Sequence, residues 1–202
     1  MLLNQKLSSN LGLKGKDSEI PLQQFEKGEE ITVLDSTIWQ VYRGVVQLSR
    51  VQQDGSEIVL GWATANGTFG TYLDTSSEVY RAVALTDVYA RPYLSQDLIR
   101  HPLLARQFLT QFSDRLIKSE QLLSIIAIKR IEERFTQLLL MLKQDMGQRV
   151  DNGIKLQVRF THQQLAEAIC TTRVTITRIM GDFQNRNLIY LDRDKHIVCT
   201  NL

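Results

Sequence analysis

The sequence predicts an α+β chain: a strand-rich N-terminal half, one long amphipathic helix, and a helical C-terminal module closed by a hairpin. Three observations predict it. Residues 20–93 are rich in Val, Ile, Thr and Tyr with turn residues at short intervals, the pattern of short antiparallel strands. From residue 96 the apolar spacing changes to threes and fours, the period of a helix. Residues 161–180, THQQLAEAICTTRVTITRIM, read as two short helices joined by a tight turn.

In the first zone the expected strands are Ile31–Leu34, Trp39–Tyr42, Val45–Leu48, Ile58–Leu60 and Val83–Leu85. Lys27-Gly28, Arg43-Gly44, Asp54-Gly55 and Asn66-Gly67 are the turns between them. Asp54-Gly55 is a strong hairpin signal because a primed turn needs positive φ. Several short strands with such punctuation make a β-roll or a barrel.

In the second zone Ala105, Leu109, Phe112, Leu116, Ser119, Leu123 and Ile126 are spaced 4-3-4-3-4-3, an unbroken heptad seam. Pro102 suits the first turn, where its missing N–H costs nothing. Such a helix can pack on its own barrel or pair with a second copy. The narrow stripe suits a two-stranded coiled coil whose interface is Leu109, Phe112, Leu116, Ser119, Leu123 and Ile126. Ser119, the polar seam position, either bonds across a dimer axis or lies beside a ligand.

A further amphipathic helix over 129–147 carries Ile131, Phe135, Leu138, Leu139 and Leu142, and Gly147 and Asp151-Asn152-Gly153 end it. Leu156–Val158 is a short expected strand. In the next helix Leu165, Ala166 and Ile169 make an inward stripe; in the one after, Ile176, Ile179, Met180 and Phe183 do the same. Arg173, Val174, Thr177 and Arg178 are then left on the outside together. That is the arrangement of a helix-turn-helix, whose second helix enters the DNA major groove; an ordinary αα-hairpin with two surface arginines is the alternative. Arginine bonds a guanine edge bidentately, and Val174 or a threonine methyl touches a thymine methyl. Leu188–Leu191 and His196–Cys199 around Asp192–Lys195 form a terminal hairpin, making the module winged.

Bulk properties narrow the class. The chain has 202 residues, enough for one large or two small domains. Charge is nearly balanced, 24 Lys/Arg against 22 Asp/Glu, but residues 1–100 carry 9 and 12 and residues 155–202 carry 7 and 4. The positive end is the helix-turn-helix end, as phosphate attraction requires. Cys170 and Cys199 are the only cysteines and have no CxxC spacing, which fits a reducing cytoplasm. Lys6 interrupts the N-terminal apolar run, and no stretch reaches the roughly 18 apolar residues of a membrane span. There is no nucleophile elbow, P-loop or framed carboxylate pair, so no enzyme is indicated. His162, Cys170, His196 and Cys199 have irregular spacing for zinc, and no metal is expected.

The order of these parts resembles the CRP/FNR family of transcription regulators. The resemblance covers about residues 20–200, through Phe25-Glu-Lys-Gly-Glu29, Val41-Tyr-Arg-Gly44, Asp54-Gly-Ser-Glu57, Phe69-Gly70, Arg81-Ala82 and the block Thr161–Met180. Thr172-Arg-Val-Thr175, Thr177-Arg178 and Gly181-Asp182 are similar to its nitrogen-control branch. The resemblance implies a double-stranded β-helix (a cupin-like β-roll) as effector domain over residues 1–95. It implies a dimerisation helix and hinge over 96–128, and a winged helix-turn-helix over 129–202. Double-stranded DNA, a second copy of the chain and RNA polymerase are the implied partners. Arg173 and Arg178 match the base-reading arginines, and Thr161, His162, Thr172, Val174, Thr175 and Thr177 complete the DNA-contacting set. Val174 stands where cyclic-AMP-binding members have a glutamate that accepts from cytosine, which implies a palindrome with GTA-type half-sites. Cys170 stands where the family has glycine in the turn. A positive φ there strains the backbone by about 1–3 kcal/mol; an αR turn does not.

The resemblance also frames an effector. Gly70-Thr-Tyr-Leu73 lacks the ribose-binding glutamate of cyclic-nucleotide members, which argues against a cyclic nucleotide. The nitrogen-control branch binds 2-oxoglutarate through backbone after Phe-Gly, a loop arginine, and an Arg-x-x-x-x-Glu on the dimer helix. Here Phe69, Gly70, Thr71 and Tyr72 supply the first, and Arg115 and Glu120 flank Ser119 at the third spacing. The loop arginine is replaced by Glu78, leaving Arg81 to take a second carboxylate. A small anion of the 2-oxoglutarate kind is the implied effector; an effector-independent regulator, or a module whose winged helix binds a coregulator, are the rivals. No cysteine precedes Cys170, so the iron–sulfur cluster of oxygen-sensing members has no ligands.

Overall fold

The computed structural model of the protein describes residues 21–34, 36–53, 55–70 and 80–202. Among them the N-terminal body contains β1 (Gln23–Phe25), β2 (Thr37–Arg43), β3 (Val46–Val51), β4 (Glu57–Ala63), β5 (Thr68–Gly70), β6 (Tyr80–Ala84) and β7 (Val88–Leu94). All pair antiparallel, one sheet running β1-β7-β2-β5 and the other β4-β3-β6. The two sheets share one core of Trp39, Val41, Val46, Leu48, Phe69, Ala82 and Val88. Trp39 stacks on Phe69 with ring centroids 6.2 Å apart, and Phe25 meets it edge-on at 5.5 Å. This is the expected β-roll.

Strand alternation explains why β2 is buried on both sides. Trp39 and Val41 point into the roll, while Ile38 points outward onto Leu98 and Phe108 of the following helices. The expected strand Ile31–Leu34 is not a regular strand. Ile31 is buried and donates its N–H to the Ala82 carbonyl at 2.8 Å, but only Glu30 forms a bridge, to Val83. Ile31 and, partly buried, Val33 anchor that segment on the roll core without a continuing ladder. The turn at Asp54 lies outside the described residues; Gly28, Gly44 and Gly55 have φ of 90, 96 and 81° as the turn reading requires.

The helical zone breaks in two at His101, giving α1 (Ser95–Arg100) and α2 (Pro102–Ile126) with Pro102 at its first position. The heptad seam is not one surface. Phe108, Leu122 and Ile125, none of them in the seam, face the protein's own body and are buried. Phe112, Ser119 and Ile126 are half-buried, whereas Leu109, Leu116 and Leu123 are 68, 60 and 68 % exposed. At 100° per residue those leucines fall on one line along α2. The helix therefore packs on its own roll with one face and leaves every seventh residue of the seam uncovered.

The C-terminal module begins with α3 (Ile131–Met146). Its end is not a loop: β8 (Gly147–Val150) and β9 (Gly153–Leu156) form a hairpin through Asp151-Asn152, and the expected strand Leu156–Val158 shifts forward to end at Leu156. Polar, exposed β8 gave no apolar alternation to read. Then come α4 (His162–Ala168), α5 (Arg173–Asn185), β10 (Ile189–Leu191) and β11 (Ile197–Cys199). The sheet order is β10-β11-β9-β8, so the terminal hairpin is a wing on a four-stranded sheet. Phe135, Leu138, Leu142, Leu165, Ile176, Ile179 and Phe183 are at most 2 % exposed and fill the module core. The module also touches the roll, where Trp62 of β4 meets Phe160 edge-on at 6.0 Å.

Candidate nucleic-acid interface

Helices α4 and α5 both start on threonines. Thr161 accepts from the Gln164 N–H at 3.1 Å while the Gln164 side chain accepts from the Thr161 N–H at 2.9 Å, a capping box. Thr172 caps α5, accepting from the Thr175 N–H at 3.2 Å, and the two hydroxyls lie 2.9 Å apart. Losing such a cap costs about 1 kcal/mol.

Between the helices the chain turns at Cys170, whose φ is 52°. The Cys170 N–H donates to the Glu167 carbonyl at 3.3 Å and the Thr171 N–H to the Ala166 carbonyl at 2.9 Å. This pair of bonds is the Schellman motif, whose left-handed residue is ordinarily glycine. The strained alternative is thus the one adopted, and the αR turn is not.

Ile176, Ile179, Met180 and Phe183 of α5 are buried, which turns Arg173, Val174, Thr177 and Arg178 outward. Val174 is 79 % exposed. Arg173 makes no ion pair among the described residues, and Arg178 only a loose one, 3.6 Å to Asp182 across solvent. Thr177 is fastened at both ends of its hydroxyl: His162 Nδ1 lies 2.8 Å away and the Arg173 carbonyl accepts from it at 2.9 Å. Two guanidinium groups, a valine and a threonine thus share one free face.

Arg134 on α3 was not legible in the sequence as a functional residue. Its guanidinium donates twice to the Ile128 carbonyl, at 3.0 and 2.7 Å, and once to the Ile169 carbonyl, at 2.7 Å. It thereby fixes the α2–α3 connection to the end of α4. The available signal was an arginine in line with apolar Ile131 and Leu138.

Residues 133–202 match the family model of the Crp-like helix-turn-helix domain. Over 96 % of its length the chain is 32 % identical to 94 % of the global nitrogen regulator of Synechococcus elongatus. The Nostoc global nitrogen regulator is 31 % identical over 86 % of this chain and 83 % of its own. The chain belongs to the CRP/FNR family of transcription regulators. Its fold is shared with a CRP-family regulator from Thermus thermophilus, at a TM-score of 0.76 and 18 % identity, over 89 % of this chain and 92 % of that one. FixK2 of Bradyrhizobium japonicum gives a TM-score of 0.73 at 18 % identity, over 89 and 91 % of the two chains. The relatives are regulators, and the chain is a regulator and no enzyme.

On the roll side, the regulator gathers some of the expected effector residues and separates others. Gly70 has φ 108° and lies so near β2 that a Cβ would collide with the Thr37 carbonyl oxygen. Arg115 of α2 reaches across to the roll, where its Nη2 donates to the Tyr80 hydroxyl at 3.0 Å and its guanidinium lies 5.7 Å from the Tyr80 ring centre. Burial pushes the Tyr80 hydroxyl above its ordinary pKa, against the opposing charge of Arg115 and a bond from the Gly70 backbone. Tyr80, the partner of Arg115, carried no sequence signal. Ser119 donates to the Leu60 carbonyl at 3.2 Å, so it bonds to its own roll. Glu120 is exposed and faces away from Arg115 around the helix. Arg81 points to the opposite face from Tyr80 and is held by Glu30 at 2.9 Å and by Glu57. Thr71, Tyr72, Leu73 and Glu78 lie outside the described residues.

His162 and His196 are engaged in the regulator's own bonds, the latter to the Leu156 carbonyl at 2.9 Å. Among the described residues no cluster of three or more His, Cys, Asp or Glu is placed for a metal. No described helix is long and apolar enough to cross a membrane.

Proposed function

We propose that the protein is a sequence-specific DNA-binding regulator that grips a palindrome of GTA-type half-sites as a homodimer. The observation that carries this is the free face of α5, where Arg173 and Arg178 stand exposed beside Val174 and Thr177. Arg173 and Arg178 read guanine edges, Val174 contributes an apolar contact, and Thr161, His162, Thr172 and Thr175 meet backbone phosphates at the two helix starts. Residues 1–95 serve as the sensor, 96–128 as dimerisation helix and hinge, and 129–202 as the DNA-binding domain. The uncovered leucines at 109, 116 and 123 support pairing of α2 with a second copy, flanked by Phe112, Ser119 and Ile126. Pairing sets two recognition helices about 34 Å apart, one DNA turn.

The test is a binding titration of such a palindrome across salt concentrations. Affinity should fall steeply with salt and exceed that for a scrambled duplex by about a thousandfold or more. Equal affinity for both duplexes, or a salt-independent constant, counts against the reading and favours a coregulator-binding module.

A small anionic effector of the 2-oxoglutarate kind is the second reading, supported by the Arg115–Tyr80 contact beside the Gly70 backbone. A ligand there would lie between roll and α2 and bias the helix pairing, moving the equilibrium only by its differential affinity for the two arrangements. Palindrome affinity unchanged by millimolar 2-oxoglutarate would leave an effector-independent dimer. The working compartment is the cytoplasm, with RNA polymerase as protein partner, as for regulators of promoter DNA.

A further inference from the structure

The fastening of Thr177 has a consequence for what the reading head can recognise. On α5, at 100° per residue, Thr177 lies between Arg173 on one side and Val174 and Arg178 on the other, in the middle of the free face. A threonine there offers two chemically different groups, a hydroxyl that donates or accepts, and a methyl. The hydroxyl has one hydrogen. That hydrogen goes to the Arg173 carbonyl at 2.9 Å, and the contact with His162 Nδ1 at 2.8 Å then requires the imidazole to donate. If instead the hydroxyl gives its hydrogen to Nδ1, it is spent on the imidazole. In either arrangement the hydroxyl's one hydrogen is committed inside the protein, so it has none to donate to a base. Against a thymine, whose edge offers an O4 acceptor and a methyl, the Thr177 methyl is then the group that can make contact.

We infer that His162 is a positioning residue: by holding the Thr177 hydroxyl it makes Thr177 an apolar reader of a thymine methyl in the major groove, and so sets selectivity for thymine at one base step of each half-site. The neighbourhood suits this. Val174 beside it is apolar, and Gly181, the next residue along the same face, has open space where a side chain would be. His162 comes from the other helix of the pair, at the first position of α4, where it is half-buried. The specificity of α5 thus depends on a side chain outside α5. The inference rests on the DNA-binding reading above.

Deoxyuridine substitution isolates the methyl, because uracil differs from thymine in that group alone. Each thymine of a GTA-type palindrome is replaced in turn, in both half-sites, and affinity is measured for wild type, Thr177→Ser, Thr177→Val, His162→Ala, His162→Asn and His162→Ala/Thr177→Val. For wild type one position should lose about fourfold per half-site, the worth of one buried carbon. Thr177→Ser should abolish that loss, and Thr177→Val, which has a methyl in either orientation, should keep it. His162→Ala should reduce the thymine preference towards one. His162→Asn, whose amide can donate from nearly the same place, should restore it, as should adding Thr177→Val to His162→Ala. A wild type that binds the palindrome specifically but tolerates uracil everywhere overturns this inference and spares the DNA-binding reading. So does a His162→Ala protein with undiminished thymine preference. A wild type that prefers no palindrome overturns both.

Discussion

Arg173 and Arg115 are both arginines flanked by apolar helix positions, yet they have opposite fates. Arg173 projects from α5 into solvent with no ion-pair partner among the described residues. Arg115 is turned inward onto Tyr80, and Arg81 nearby is held by two glutamates. Cations left unpaired on a rigid face have their desolvation and pairing still to make, so they suit a polyanion that arrives from outside. Cations already bonded within the protein hold the fold, and a ligand must displace or join those bonds to use them.

The helix that links the two regions should give the greatest change. Leu116→Glu/Leu123→Glu places charges on the uncovered line of α2 and should yield monomers by light scattering. Because joining two half-site contacts raises affinity by about 10²–10⁴, palindrome binding should weaken by that factor. A double variant that stays dimeric contradicts the proposed pairing.

Arg173→Ala should cost about 1–3 kcal/mol of specific binding per half-site and leave thermal stability within about 0.5 kcal/mol. Arg115→Ala should show the reverse, lowering the unfolding midpoint with little change in binding to DNA of random sequence. Equal effects from the two variants on both measurements would erase the distinction between the regions.

Two backbone positions separate roll and reading head further. Gly70→Ala combines a φ of 108° with a collision against the Thr37 carbonyl, and should destabilise the roll by roughly 1–3 kcal/mol in denaturant titration. Cys170→Gly does the opposite in the reading head, relieving a left-handed non-glycine residue. Relief of about 1–2 kcal/mol, less the entropy glycine adds to the unfolded chain, leaves a net gain of about 0.5–1 kcal/mol. A loss of stability would show that the cysteine side chain does more than occupy the turn.

A response confined to alkaline pH concerns Cys199, whose thiol burial pushes from an ordinary 9.0 up to about 11, with Lys143 opposing. Folding favours the neutral thiol, so this contribution is intact below about pH 9 and is lost as pH rises towards 11. Unfolding midpoints of wild type and Cys199→Ala should therefore converge over that window and run parallel below it. Exposed Cys170 should meanwhile react with thiol reagents in the folded protein, and buried Cys199 should not.

The reading head was legible because its information is local. Three- and four-residue spacing along α4 and α5 separates buried from free positions, and the Thr161 and Thr172 caps lie within three residues of the groups they satisfy. The same rule failed on α2. Its 4-3 spacing is real, but Phe108, Leu122 and Ile125 lie on a second apolar face that a single-seam reading passed over. Strand β8 was missed because its residues are exposed and polar, so only pairing with β9 defines it. Ile31–Leu34 erred the other way, since apolar composition marks burial and burial does not require a ladder.

Residue order was enough to dictate the α+β arrangement, the roll, the long helix and the winged module, together with the residues on the free face of α5. Those follow from periodicity and turn chemistry, which act over a few residues. Three-dimensional packing was needed to decide that Cys170 takes the left-handed turn, that Arg115 turns to Tyr80, that Arg134 joins the α2–α3 connection to the end of α4, and that His162 holds Thr177. Each of these joins groups whose distance depends on how whole elements pack, and packing is settled by the shared core, which no local pattern encodes.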